Sequence, residues 1–250
     1  MNLLGTAGAT KISALVSAAL EAPTTTGILK AGIEGAGAEV GDVVYVAPTA
    51  VDITPFVAQA VAGGVDGIFV AAPGPQLVSL IKGVRAQGFK GNISTLGTLV
   101  SDSTIQALGP DAENLHVVNT MASLSTSAPA LPKYREDMAS YDKSLAINEN
   151  SLAAWMAMWT FERVAGDIKG DIDPSSVLKA MNGLDQFDMG GIIPPLTTTS
   201  ADPVPGQPGI TRLFNPDVTY GVVTDGKFGP FGDADFFNAY TGEPVATPEG

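Results

Sequence analysis

The chain has 250 residues, of which 45% are hydrophobic and 16% charged, with a formal net charge of −13 and no cysteine. This composition favours a large buried core, and the negative charge disfavours nucleic acid as a partner because phosphate binding needs a basic face. The lack of cysteine excludes disulfides, thiolate metal sites and cysteine nucleophiles together. No apolar run approaches the roughly 18 residues of a membrane span, so we expect no membrane insertion by this chain.

The first 120 residues alternate between short apolar runs and amphipathic stretches. The sequence predicts strands over 12–18, 43–46, 67–71, 92–96 and 115–120, and helices over 27–35, 54–62, 75–87 and 101–108. Continuous apolar runs joined by helices are typical of parallel strands that are covered on both faces. We therefore predict the α/β fold class, with a three-layer αβα parallel sheet of the Rossmann-like kind.

The second half of the chain has a different pattern. It predicts a polar, proline-punctuated crossover over 123–132, helices over 133–141, 152–165 and 173–183, and a long loop over 197–209. The helix over 152–165 carries a stripe of large side chains that we interpret as core: Trp155, Met156, Met158, Trp159 and Phe161. Apolar runs flank Asp225-Gly226, the preferred dipeptide of a tight turn, and predict a C-terminal β-hairpin.

Few residues offer catalytic or cofactor chemistry. His116 is the only histidine, and no nucleophile elbow accompanies it, so we interpret it as structural. Gly35-Ala-Gly37 ends a predicted helix, whereas a dinucleotide site must begin one. Asp233 and Asp235 lack the further oxygen ligands of a calcium loop. The sequence therefore predicts no catalytic residue, no cofactor and no metal.

Ligands of such sheets bind beyond the carboxyl ends of the strands. The segments that qualify are 23–26, 72–74 and 97–99, which follow the first, third and fourth predicted strands. They carry small and hydroxyl side chains. The sequence therefore predicts a ligand site at this edge of the sheet.

A series of segments carries a family resemblance in order along the chain. These segments are 8–16, 34–40, 52–57, 64–70, 81–88, 187–195 and 220–228. Together they resemble the type I periplasmic-binding-protein family, and more closely the branched-chain-amino-acid-type solute-binding proteins of ABC transporters. No single motif is specific; the ordered series is.

The resemblance implies two lobes that close on a small solute. Residues 8–122 would be the second, αβα lobe, 123–184 a crossover and helices of an incomplete first lobe, and 185–250 a return segment, the hairpin and a tail. The opening strands and helices of the first lobe have no counterpart in this sequence. The helix with Trp155 and Trp159 would then need a covering sheet, so we expect either a fragment or a partner that supplies that sheet.

The resemblance also implies which residues line the cleft. In this sequence those residues depart from the family's amino-acid-binding pattern. The predicted ligand-binding residues are Thr24, Thr25, Thr26, Pro73, Gly74, Gly97, Thr98 and Asn150. Thr26 stands where the family has a pocket tyrosine, and Gly97 and Thr98 stand near an acidic residue that would pair with an α-ammonium group. A buried ammonium without a carboxylate partner is costly. We therefore expect a larger, less polar solute than a standard amino acid, with Asn150 at a helix start that would attract a ligand carboxylate.

Three functions remain open at this stage. The first is the extracytoplasmic solute-binding component of an ABC importer, a non-enzyme whose partners are a small organic solute and a membrane permease. It would be periplasmic or extracellular, with or without a lipid anchor, and its signal segment is not in this sequence. The second is a ligand-sensing regulatory or receptor domain of the same fold. The third, which the lack of catalytic residues disfavours, is an enzyme on a doubly wound sheet.

Overall fold

The computed structural model describes residues 1–201, 212–232 and 234–245. Within them the chain divides into two compact units, one made of 1–119 and 218–245 and the other of 120–201 and 212–217. Asp233 and part of the predicted loop over 197–209 lie outside the described residues.

The first unit is built on one sheet with a parallel half and an antiparallel half. Its strands are β1 (Lys11–Ser17), β2 (Glu39–Val46), β3 (Gly67–Ala71), β4 (Asn92–Leu96), β5 (Leu115–Asn119), β6 (Asp217–Thr224), β7 (Lys227–Pro230), β8 (Phe236–Asn238) and β9 (Pro244–Val245). The order β2-β1-β3-β4-β5 is parallel, and β6 joins β5 in the antiparallel sense. The predicted fold class is confirmed, and the predicted hairpin, β6 with β7, extends the same sheet.

Helices cover both faces of this sheet. They are α1 (Asn2–Thr6), α2 (Thr25–Gly35), α3 (Thr54–Ala60), α4 (Gly74–Ala86) and α5 (Asp102–Leu108). Leu15 of β1 packs in one core cluster with residues of α3, α4 and α5, whereas Ile12 and Val16 pack in another with residues of α1 and α2. Alternate residues of a strand point to opposite faces, so the two clusters are the two interfaces of a three-layer fold.

Turn residues end the elements where the sequence predicts. Gly37 follows α2 with a φ of 74°, and Gly88 follows α4 with a φ of 81°. These left-handed conformations favour glycine, which has no Cβ. In the hairpin, Asp225 and Gly226 both have positive φ, at 52° and 71°, which is the pattern of a type I′ turn.

Asp66 joins the amino ends of three adjacent strands. Its carboxylate accepts hydrogen bonds from the backbone N–H of Thr10 and of Lys11, at 2.9 and 2.8 Å, and from the Thr10 hydroxyl at 2.7 Å. Its backbone N–H donates to the carbonyl of Lys11, and its own carbonyl accepts from the N–H of Asn92. Partial burial acts to raise the pKa of Asp66, but the hydrogen bonds from Lys11 and Thr10 outweigh it and hold that pKa below its usual value. One residue therefore sets where β1, β3 and β4 begin.

The second unit contains three helices, α6 (Leu131–Tyr141), α7 (Glu149–Gly166) and α8 (Pro174–Met181). Asn148 and Asp173 begin α7 and α8 with capping boxes, in which each side chain accepts from a backbone N–H three residues later. The buried residues of α7 are Leu152, Thr160, Val164 and Ala165. This face differs from the one that the large side chains predict.

The large side chains of α7 are not buried within this chain, which agrees with the expectation that this helix needs a covering sheet. Met158 and Phe161 are 66% and 41% exposed, and Trp155, Met156 and Trp159 are only partly buried. The Trp155 ring stacks on Trp159, with centroids 5.1 Å apart, and its Nε1 donates to a carboxylate oxygen of Asp137 in α6 at 2.9 Å. Trp155 therefore packs against α6, and smaller residues fill the buried positions of α7.

Asp66→Asn is expected to lower the free energy of unfolding by about 1–2 kcal/mol, because the charged acceptor of several hydrogen bonds is lost. Urea unfolding at pH 7 measures this, with Asp42→Asn, an exposed carboxylate in β2, as the matched control. A carboxylate with a lowered pKa stabilises the fold above its unfolded pKa, and this contribution disappears as the pH falls through the folded pKa. The two variants should therefore converge in strong acid, and equal stabilities at pH 7 would contradict the role of Asp66.

Glu149, the first residue of α7, has a buried carboxylate oxygen with no hydrogen-bond partner among the described residues. Burial raises the pKa of this carboxyl to about 7, from a usual 4.5. Between these two values the folded protein holds a proton that the unfolded chain releases. The contribution of Glu149 to the free energy of unfolding should therefore fall as the pH rises from about 4.5 to 7.

Glu149→Gln should remove that loss and make the protein roughly 1–2 kcal/mol more stable at pH 8, because solvent screens part of the cost of charging this partly exposed carboxylate. At pH 4 the variant and the wild type should be equally stable. Glu162→Gln, an exposed position of the same helix, is the control for a change of net charge. Equal effects of the two substitutions at pH 8 would show that Glu149 is solvated.

Candidate functional site

The strand order of the first unit places a topological switch point at the carboxyl edge of its sheet. β1 lies between β2 and β3, so the chain leaves β1 toward one side of the sheet and returns to the other side for β3. In doubly wound sheets, ligands bind where the connections diverge in this way. Tyr45 of β2, Val16 of β1 and Ala71 of β3 lie side by side in register at this edge.

The structure brings all the predicted ligand-binding residues except Asn150 to this edge. Thr24, Thr25 and Thr26 begin α2 after β1, Pro73 and Gly74 begin α4 after β3, and Gly97 and Thr98 form a 3-10 turn after β4. Gly97 is buried, whereas Thr24, Pro73, Gly74 and Thr98 are exposed. Asn150 is exposed in the first turn of α7, in the second unit, and its role stays a prediction.

The hydroxyl groups that follow β1 have different partners. Thr25 Oγ1 accepts from the N–H of Ala22 at 3.0 Å and donates to the carbonyl of Leu20 at 3.4 Å, so it closes the loop between β1 and α2. Thr26 Oγ1 instead lies 2.9 Å from the phenolic oxygen of Tyr45, and either atom can be the donor. Thr25 therefore shapes the loop, and Thr26 links α2 to the end of β2.

Sequence reasoning missed two polar residues of this edge. Tyr45 is the penultimate residue of β2 and lies inside an apolar run, so it reads as a core residue. Gln76 of α4 donates through Nε2 to the carbonyls of Val46 and Ala47, at 3.3 and 3.2 Å. Its Oε1 is buried without a hydrogen-bond partner in the described part of the chain. The available signal was position alone, because both residues lie next to the carboxyl end of a predicted strand.

The carboxyl edge carries little charge. The segments 18–24, 47–53, 72–73 and 97–101 contain no lysine or arginine, and their only acidic residues are Glu21 and Asp52. The Asp52 carboxylate accepts from the N–H of Thr54 at 2.9 Å, and this hydrogen bond lowers its pKa. A solute would therefore meet no positively charged side chain in these segments. Of their two carboxylates, only that of Glu21 has no hydrogen bond to another described residue.

Apolar side chains are exposed along the same edge. Leu20 follows β1 and is 44% exposed, and Leu96 ends β4 and is 40% exposed. Leu99 packs against both core clusters, which cover opposite faces of the sheet, so its side chain lies across the edge itself. Apolar walls with a few polar groups are typical of small-molecule sites.

The rest of the described structure offers little reactive chemistry. His116 is 5% exposed, and its ring meets that of Phe231 edge to face at 4.7 Å. Burial, and secondarily the positive charge of Arg85, lower the pKa of His116. Within 1–201, 212–232 and 234–245, no group of three or more His, Cys, Asp or Glu side chains could hold a metal ion. Nor is any helix there long and apolar enough to cross a bilayer.

Comparison with solved structures finds similar folds in transport proteins. A putative branched-chain amino acid ABC transporter from Rhodospirillum rubrum matches 90% of this chain with a TM-score of 0.70 and 17% identity. A branched chain amino acid ABC transporter from Thermus thermophilus with bound valine matches 92%, with a TM-score of 0.68 and 16% identity. A fatty acid ABC transporter substrate-binding protein from Thermomonospora curvata matches 98%, with a TM-score of 0.72 and 16% identity.

These matches span only part of the other proteins. The chain covers 62% of the first two and 65% of the third, which is less than two thirds of their length. No curated protein sequence matches the chain. The sequence model of the family described as periplasmic binding protein matches residues 6–211, most of the chain and in agreement with the type I fold. This chain belongs to the periplasmic-binding-protein family.

Proposed function

We propose that this chain is part of the solute-capturing component of an ABC importer, and that it binds a predominantly apolar organic solute at the carboxyl edge of its sheet. The observation that carries this proposal is the composition of the edge: exposed leucines, hydroxyl groups and no basic residue. Leu20 and Leu96 supply apolar contact area, and Thr26, Tyr45 and Thr98 supply uncharged polar groups.

The same edge disfavours a standard amino acid as the solute. A zwitterion needs a carboxylate for its ammonium group, because an unpaired buried charge is costly. In the segments that follow β1 to β4, Asp52 is engaged at the start of α3 and Glu21 is exposed in the loop after β1. Neither Gly97 nor Thr98 carries a charge, so the turn after β4 offers no carboxylate to an ammonium group.

A fatty acid is the first solute to test. Its acyl chain suits the exposed leucines, since each buried methylene contributes about 0.8 kcal/mol. Its single carboxylate also finds no cation in these loops, so hydrogen bonds from hydroxyl groups would have to hold it. The relative from Thermomonospora curvata is a fatty acid ABC transporter substrate-binding protein, which makes this class a reasonable choice.

The proposed role is non-catalytic and extracytoplasmic, with a membrane permease as the protein partner. Family membership supports this assignment, because a periplasmic binding protein carries its solute outside the cytoplasm. The chemistry of the chain agrees with it. The single histidine is buried against Phe231 with a lowered pKa, so it is a poor general base in this fold.

Binding of decanoate and of leucine to the native protein tests the proposal. The protein is expressed from its own gene, unfolded in guanidinium, washed to remove any carried solute and refolded before isothermal titration. We expect decanoate to bind with a dissociation constant in the micromolar range or below, and leucine to release no measurable heat. Acetate, which has the carboxylate without the acyl chain, is the control ligand and should not bind.

Tight binding of leucine without binding of decanoate would contradict the proposed solute class and would leave the transport role in place. Failure of the refolded protein to bind any member of a panel of acyl, aromatic and amino-acid solutes would contradict the capture role itself. Circular dichroism and thermal unfolding establish in each case that the refolded protein is native.

A further inference from the structure

We propose that Tyr45 and Thr26 form a paired-hydroxyl subsite that donates a hydrogen bond to the polar head of the solute. This inference rests on the proposed function and assigns the specificity of the same site to two named side chains. Tyr45 is not among the sequence-predicted ligand residues, and it enters the site only because β2 lies beside β1 in the sheet.

The geometry makes the two residues a single polar unit. The Tyr45 phenolic oxygen and Thr26 Oγ1 are 2.9 Å apart, a normal distance for a hydrogen bond between hydroxyl groups. Thr26 lies in the first turn of α2, and Tyr45 lies one residue before the end of β2. The pair therefore links α2 to β2 at the carboxyl edge of the sheet, with β1 between β2 and β3.

The hydrogen-bonding capacity of the pair is not used up. Each hydroxyl has one donor and two acceptor positions, and their mutual bond consumes one donor and one acceptor. Besides their mutual bond, neither side-chain oxygen has a hydrogen bond to another residue in the described part of the chain. The oxygen that accepts within the pair keeps its own proton, so one O–H remains to donate to an oxygen of the solute.

The surroundings strengthen a bond made there. Tyr45, Leu29 and Leu99 all pack against the core cluster that contains Val16 and Ala71, and both hydroxyls are partly buried. A hydrogen bond in a partly dry, apolar environment is stronger than one in water, and a chain of hydroxyls polarises along its length. With no lysine or arginine in the loops after β1 to β4, such a donor is a suitable partner for a solute oxygen.

A purely structural pair would make a different prediction. If the hydroxyls only tie α2 to β2, their removal lowers the melting temperature and leaves affinity unchanged. If they donate to the solute, removal lowers affinity by a larger factor than the change in stability explains. Tyr45→Phe and Thr26→Val serve this distinction, because each keeps the shape of the side chain and removes only its hydroxyl.

The experiment titrates sodium decanoate into the native refolded protein and into Tyr45→Phe, Thr26→Val and the double variant. Tyr45→Phe should weaken decanoate binding about tenfold or more, as expected for a lost hydrogen bond to a charged group. The double variant should bind decanoate almost as well as the single variant with the lower affinity, because the two hydroxyls act as one unit. Tyr141→Phe, at a tyrosine that is 86% exposed in α6, is the matched control and should bind as the wild type does.

Wild-type affinity in both Tyr45→Phe and Thr26→Val, with native circular dichroism, would overturn this inference and leave the proposed function intact. An absence of decanoate binding to the wild type would overturn the inference together with the proposed solute class. Multiplicative losses in the double variant would also contradict it, since they would mean that the two hydroxyls act separately.

Discussion

The position of β1 is the constraint on which the first unit depends. It is the only parallel strand here that pairs with both β2 and β3, and Asp66 fixes its amino end by hydrogen bonds to Thr10 and Lys11. Residues on its two sides enter the two core clusters, so a change in its register would disturb both helical layers. The carboxyl end of β1 is consequently fixed beside that of β3, where the connections from β1 to α2 and from β3 to α4 diverge.

The same constraint explains why an uncharged edge can be specific. Val16 holds Tyr45 on one side and Ala71 on the other in a single register row, so the phenol reaches the first turn of α2 at hydrogen-bond distance from Thr26. Two neutral hydroxyls, one on β2 and one in the first turn of α2, that are already held together by a hydrogen bond would lose little conformational entropy on binding, which favours affinity without an ion pair. In the proposed site, the exposed leucines would supply apolar contact area, and the hydroxyl pair would orient the polar head of the solute.

The sequence was most informative where a residue pattern is compatible with only one local structure. Apolar runs located β3 and β4 because buried parallel strands have no polar face, and Gly37, Gly88 and Asp225-Gly226 marked turns because few other residues adopt positive φ. Side-chain direction was harder to predict. Trp155 and Trp159 are only partly buried, whereas Leu152 and Val164 fill buried positions of α7, and size alone cannot identify those positions. Tyr45 was missed for the related reason that its partner comes from a different element, nineteen positions away.

The central claim is that the carboxyl edge of this sheet is the solute site, and amide chemical-shift mapping by NMR tests it most directly. Decanoate is added to the uniformly labelled native protein, and each backbone amide is followed. We predict the largest shifts at Thr26, Tyr45, Gly74 and Thr98, which lie at the carboxyl edge, and unchanged amides at the Asp225-Gly226 turn, which lies near the amino end of β5. Shifts concentrated at that turn, with an undisturbed carboxyl edge, would contradict the account.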